Sequence, residues 1–177
     1  MSYYTDDSLE FPLMYDEDDN YVLVYIDGAC MYNGRWNASA GIGVVFGIDH
    51  PNNYGGPVRG RRATNNSAEI QAATWAINEV NNMDIGIDAI RLMTDSHFLM
   101  NSINQWLHLW KRNNWHKTNG EPLANRIDFI HLDRAMRNFD GLVDVDYVPS
   151  HMGDPYNELA DELAKMGAEE YYYNRLH

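Results

Sequence analysis

Apolar residues first gather at Tyr21-Val22-Leu23-Val24-Tyr25-Ile26, a nearly unbroken run that ends at Asp27 and Gly28. So many β-branched and aromatic residues in sequence read as a central strand buried on both faces. Residues 40–47 repeat that character, and the loop 31–39 between the two runs is short enough for a hairpin. A weaker third strand is expected between Asn53 and Gly60. Thr64, Asn65, Asn66 and Ser67 then supply helix-cap residues with Glu69 in the first turn, and Ala68, Ala72, Trp75, Ala76, Ile77 and Val80 recur at helical spacing. Strand character returns from Ala89 to Asp95. A helix is predicted from Ser96 to about Trp110 and another over roughly 122–137. Val143 to Val148 alternates as a strand does, Pro149 ends it, and a last helix is predicted from about Pro155 to Ala168.

Three strands, helix, strand, helices, strand, helix is the order of an α/β domain. The expected sheet is mixed and five-stranded: an antiparallel meander of three strands, then two parallel strands reached by crossover helices. The organisation expected is an acidic flexible leader over 1–20, one domain over 21–170 and a C-terminal tail over 171–177.

Charge changes this picture more than length does. The chain has 177 residues, enough for one domain, and a formal net charge of −13, unfavourable on average for binding phosphates. The acid is unevenly spread. Residues 1–20 hold Asp6, Asp7, Glu10, Asp16, Glu17, Asp18 and Asp19 with no Lys or Arg; beyond them 19 acids face 13 bases, a net of −6. Cys30 is alone, which excludes an intrachain disulfide or a cysteine-rich zinc site. Nothing resembles a secretory signal or a membrane span, so an intracellular protein, cytoplasmic or nuclear, is expected, with no membrane partner.

Four acids stand out by position. Asp27 and Asp95 end predicted strands, Glu69 opens a helix, and Asp161 lies in the last helix. Each has an ordinary structural reading: a turn residue, a helix N-cap, an acid favouring the helix dipole, a solvated helix acid. Together they read differently. Parallel strands of an α/β sheet present their ends at one edge, where ligands bind. Carboxylates crowded there repel one another unless cations intervene. An oxygen-only donor set suits Mg²⁺ or Mn²⁺.

With these residues in view, Tyr25-Ile26-Asp27-Gly28, Thr64 to Glu69, Thr94-Asp95-Ser96, Val148-Pro149-Ser150-His151 and Asn157 to Asp161 resemble type 1 ribonuclease H. The resemblance runs in order from about Tyr21 to Ala168. It implies an RNase H-like fold and a metal-dependent endonuclease that cuts the RNA strand of RNA–DNA hybrids, leaving 5′-phosphate and 3′-hydroxyl ends. It also implies two Mg²⁺ ions, with Mn²⁺ as a substitute, held by Asp27, Glu69, Asp95 and Asp161, and proton transfer or product release aided by His151.

The resemblance further assigns Asn33, Asn65 and Asn66 to the 2′-hydroxyls of the RNA strand, although relatives more often carry Gln at the position of Asn66. Arg62, Thr64 and Asn125 match a pocket for a DNA phosphate. Phe98 and Trp106 match residues that pack on deoxyribose, and Thr118 one near a phosphate. The stretch from Trp106 to Lys117 interleaves aromatics with bases and resembles a basic protrusion. No counterpart of the small hybrid-binding module of many eukaryotic relatives is expected, and a monomer without an obligate protein partner is expected. Two other readings of the fold remain open from the residues: a module that grips nucleic acid without cutting it, and a nuclease or integrase acting on DNA.

Overall fold

The computed structural model describes residues 3–5, 11–16, 21–60, 63–150 and 152–176, so Arg62 and His151 lie outside the described residues. Two short strands, β1 (Tyr3–Thr5) and β2 (Met14–Asp16), precede the long strand β3 (Val22–Met31). β4 (Ser39–Val45) and β5 (Tyr54–Pro57) complete a meander, followed by α1 (Asn65–Met83) and β6 (Ala89–Thr94). A broken helix comes next: α2 (His97–Asn101), a π-helical turn (Ser102–Trp106) and α3 (Leu107–Arg112). The chain ends through α4 (Arg126–Asn138), β7 (Leu142–Tyr147) and α5 (Pro155–Leu176).

The expected five strands form the body of the sheet. β3 pairs antiparallel with β4 and β4 with β5, while β6 runs parallel to both β3 and β7. Alternation along β3 explains why its sequence is apolar throughout. Val22, Val24 and Ile26 bury against one cluster with α1 and α4, and Leu23 and Tyr25 bury against another with Ala160 of α5. Fully burying each such aliphatic side chain contributes about 1.5–3 kcal/mol. Glycines set the distance between the layers. A Cβ on Gly43 would lie 1.9 Å from the Ala160 carbonyl oxygen, and one on Gly41 2.2 Å from the Ala168 nitrogen. Hence α5 lies backbone to backbone on β4.

Three expectations are corrected. The leader is not an unstructured arm at its described residues: β1 pairs with β2, and β2 meets β3 at Tyr15 and Val22, extending the sheet to seven strands. Leu13 and Met14 are fully buried, and the buried Asp16 is ion-paired with Arg91, whose guanidinium lies 4.3 Å over the Tyr21 ring. The apolar residues scattered among the leader's seven acids show no periodicity, yet Leu13 and Met14 suffice to dock a short strand. Secondly, β3 continues four residues past Asp27, so that acid lies within the strand rather than at its end. Thirdly, α5 does not stop near Ala168 but runs to Leu176, so the segment set apart as a tail is the end of that helix. Arg175 holds it down by donating to the carbonyl oxygens of Ala38 and Trp36 at 3.2 and 3.3 Å.

Candidate active site

The local sequence prepares each acid differently. Asp27 follows the Leu23–Tyr25 face of β3, and the Gly28 N–H donates to its Oδ1 at 2.7 Å. Gly28 is required because a Cβ there would lie 2.4 Å from the Glu69 backbone nitrogen, so the first turns of α1 can press on β3 only at a glycine. Thr64 caps α1 by accepting from the Ser67 N–H at 3.1 Å. Asp95 stands in the turn after β6. That turn is fixed by Ser96, whose N–H donates to Thr94 Oγ1 at 3.1 Å and whose Oγ accepts from the Leu99 N–H at 3.2 Å. Asp161 is placed from the start of α5. There Asp154 accepts from the N–H groups of Tyr156 and Asn157 and from the Tyr25 hydroxyl of β3 at 3.2 Å.

These elements bring three of the four acids together. One carboxylate oxygen each of Asp27, Glu69 and Asp95 lies within 4.8 Å of the others. Asp27 and Glu69 are buried and Asp95 is half-buried. Burial, then the negative charges of Asp95 and Asp161, push the Asp27 carboxyl up to about 7, opposed by the Gly28 hydrogen bond and the charge of Lys165. Burial raises Glu69 well above the usual carboxylate range, with Asp27 and Asp95 adding to it. Glu69 Oε2 is buried without a hydrogen-bond partner. Asp161 stays outside this close group and is ion-paired with Lys165, one turn further along α5. Its charge still reaches Asp27.

A buried oxygen with no donor and two carboxyls held far from their ordinary acidity are what a hard cation would relieve. The donor set fits divalent metal. Sequence reasoning missed Lys165, although its i, i+4 spacing from Asp161 on a predicted helix was a readable signal. It also missed Tyr25 and Asp154, whose bond spans the sheet and α5.

The other candidates divide by location. Thr64 and Asn125 stand at neighbouring helix starts, because Asp128 of α4 accepts from Ser67 Oγ of α1 at 2.8 Å and from Gln71 Nε2 at 3.1 Å. The buried Asn125 makes no capping bond with its side chain. Asn65 and Asn66 are exposed in the first turn of α1, and Asn33 is exposed in the β3–β4 loop. Phe98 is half-buried against Phe129, their rings 6.1 Å apart. Trp106 closes the π-helical turn with its ring 5.7 Å from that of Trp110. It lies eleven residues beyond Asp95, on the order of 16 Å along a helical path.

Thr118 is exposed beside Trp110 and Lys117 at a shallow depression of ≈ 460 Å³. Trp110 and Trp115 both pack on the core. The basic character of this stretch is partly spent internally: Lys111 pairs with Asp133 of α4, and Lys117 with Glu121. A groove of ≈ 590 Å³ between α1 and α4 contains none of the four acids. Asp27, Glu69 and Asp95 instead come together where the central strand β3 meets the start of α1 and the turn after β6.

The sequence matches the RNase H family over residues 19–169. Ribonuclease H1 of Rattus norvegicus is 42% identical over 149 residues, covering 84% of this chain and 50% of the relative. The chain thus spans about half the length of that relative. The ribonuclease H of Mannheimia succiniciproducens is 33% identical over 157 residues, covering 88% of this chain and 92% of the relative. Among solved structures, a foamy viral protease-reverse transcriptase in complex with double-stranded DNA matches with a TM-score of 0.66 at 25% identity, over 82% of this chain and 92% of that one.

Proposed function

The chain belongs to the RNase H family, and on that premise we propose that it is an endonuclease cutting the RNA strand of RNA–DNA hybrids with two Mg²⁺ ions held by Asp27, Glu69, Asp95 and Asp161. The observation that carries this reading is the close group of Asp27, Glu69 and Asp95, two of them buried and one bearing an orphan oxygen. A fold that only gripped nucleic acid would gain nothing from so repulsive a cluster. When bound, the metal supplies positive charge against the phosphodiester and activates water for in-line attack, so that 5′-phosphate and 3′-hydroxyl ends result.

The protein's own groups hold and sort the substrate. Asn33, Asn65 and Asn66 offer neutral donors and acceptors suited to 2′-hydroxyls, the feature that distinguishes the RNA strand. Thr64 and Asn125 receive a phosphate of the DNA strand between two helix starts, where N–H groups favour anions; Arg62 joins them on its place in the sequence alone. Phe98, Trp106 and Thr118 continue the contact with that strand. His151 carries a proton during turnover; its assignment rests on its place in the sequence, ten residues before Asp161.

Labelled RNA–DNA hybrid, duplex DNA and duplex RNA, each with Mg²⁺ or EDTA, test the proposal on the wild type and Asp95→Asn. Cleavage of the hybrid alone, lost in EDTA and in the variant, is expected. Hybrid cleavage that persists in EDTA or in Asp95→Asn overturns the metal mechanism, and cleavage of duplex DNA overturns the substrate.

A further inference from the structure

The loop joining β3 to β4 exposes five consecutive residues, Tyr32 to Trp36. Trp36 is 89% exposed, whereas Trp75, Trp106, Trp110 and Trp115 are all half-buried. Tryptophan is highly buried on average, and an indole left this bare is characteristic of a residue that anchors a contact. The loop holding it is well tied. The Arg35 N–H donates to the Tyr32 carbonyl at 2.9 Å and the Ala38 N–H to the Arg35 carbonyl at 3.1 Å. Arg175 clamps the carbonyls of Trp36 and Ala38 from α5. Backbone that is fixed under an exposed ring presents that ring at little ordering cost.

Charge and position identify the occupant. The exposed guanidinium of Arg35 has no hydrogen-bond or ion-pair partner among the described residues, in a chain whose formal net charge is −13. The same loop carries Asn33. β3 links it directly to Asp27: Met31 is four positions beyond Asp27, so the loop begins about 13 Å away at ~3.3 Å per residue. That is about four nucleotide steps along a strand at ~3.4 Å each.

We propose that Trp36 and Arg35 form a second anchor for the nucleic-acid substrate, about four nucleotides from the cutting site and separate from the Trp106–Thr118 stretch. Trp36 stacks on a base or sugar face and Arg35 pairs with a phosphate. This rests on the function proposed above and adds a contact that sets grip on the substrate rather than the chemistry.

The test is hybrid affinity in EDTA, where no cutting occurs, for Trp36→Ala, Trp36→Phe and Arg35→Ala, with steady-state cleavage in Mg²⁺ alongside. Losing the stacking face should weaken binding about ten-fold, with Trp36→Phe retaining most of the affinity. Arg35→Ala should lower the slope of log affinity against log salt by about 0.7–0.9, one phosphate contact. In cleavage the loss should fall on KM. Both side chains are exposed, so circular dichroism should be unchanged in all three variants. Unaltered affinity and KM for Trp36→Ala, or an unaltered salt slope for Arg35→Ala, overturns the anchor. A wild type that binds hybrid but never cuts it refutes the enzyme reading alone, because the affinity comparison still decides this one.

Discussion

Lys165 stands one turn beyond Asp161 on α5 and is ion-paired with it, so the fourth acid of the proposed site is already engaged by a cation. Asp161 is partly shielded, while Lys165 is 60% exposed. In the proposed metal site, divalent metal has to displace this ammonium to recruit Asp161. An exposed pair of this kind is worth at most about 1 kcal/mol, a factor of about five in affinity. Lys165→Met should tighten Mg²⁺ binding to the protein without substrate by up to about five-fold, measured by titration calorimetry. Unchanged or weaker binding would show that Lys165 does not compete.

Stability without metal should fall as pH rises. The Asp27 carboxyl goes from 3.8, its ordinary value, to about 7 in the folded protein. Between about pH 4 and 7 the native state keeps a proton that the unfolded chain has released, so rising pH favours unfolding. This stabilisation is complete below about pH 4 and is lost as pH passes 7. The slope is at most about 1.4 kcal/mol per pH unit from Asp27 alone, and Glu69 acts in the same direction. Thermal unfolding in EDTA should show Tm declining over this window, and Mg²⁺ should reverse much of the decline. Asp27→Asn should flatten the profile, raise Tm in EDTA at pH 8 and abolish hybrid cleavage. A Tm in EDTA that rises from pH 5 to pH 7 would contradict this.

The close approach of α5 to β4 makes Gly43 a sensitive position. Its added Cβ would sit 1.9 Å from the Ala160 carbonyl oxygen, backbone that cannot rotate away. Gly43→Ala should cost about 1–3 kcal/mol or more in urea unfolding. It should also lower cleavage in the fraction that remains folded, because Asp161 follows Ala160 on the displaced helix. Near-wild-type stability would mean that α5 shifts freely.

Arg91 and Asp16 are both buried, so removing the guanidinium leaves a carboxylate in a dry setting. Arg91→Ala should destabilise the fold by about 3 kcal/mol, and Asp16→Asn in the same chain should restore part of the loss. A double-mutant cycle in urea measures this coupling, and additive losses would show the pair to be incidental. Deleting residues 1–20 would remove this pair, together with Leu13 and Met14. Neutralising Asp6, Asp7, Glu10, Glu17, Asp18 and Asp19 is therefore the cleaner way to ask whether the leader's charge opposes nucleic acid.

Much was legible along the chain because the signals are local. The apolar run Val22–Ile26, the cap at Thr64 and the helical spacing from Ala68 to Val80 each depend on neighbours a few residues away. That is why the five-stranded body of the sheet was legible and why the four acids stood out by position. Asp16 and Arg91 lie 75 positions apart, and no periodicity links them. Likewise Arg175 secures the helical tail through carbonyls more than 130 residues upstream. Only the packing of α1 against Gly28 and of α5 against Gly43 decided that three carboxylates share one small space while the fourth faces Lys165. Sequence singled out the four acids by their place along the chain, although it put Asp27 at the end of a strand that runs on past it. Tertiary structure decided their distances and acidities, since burial and mutual charge arise only once the layers close.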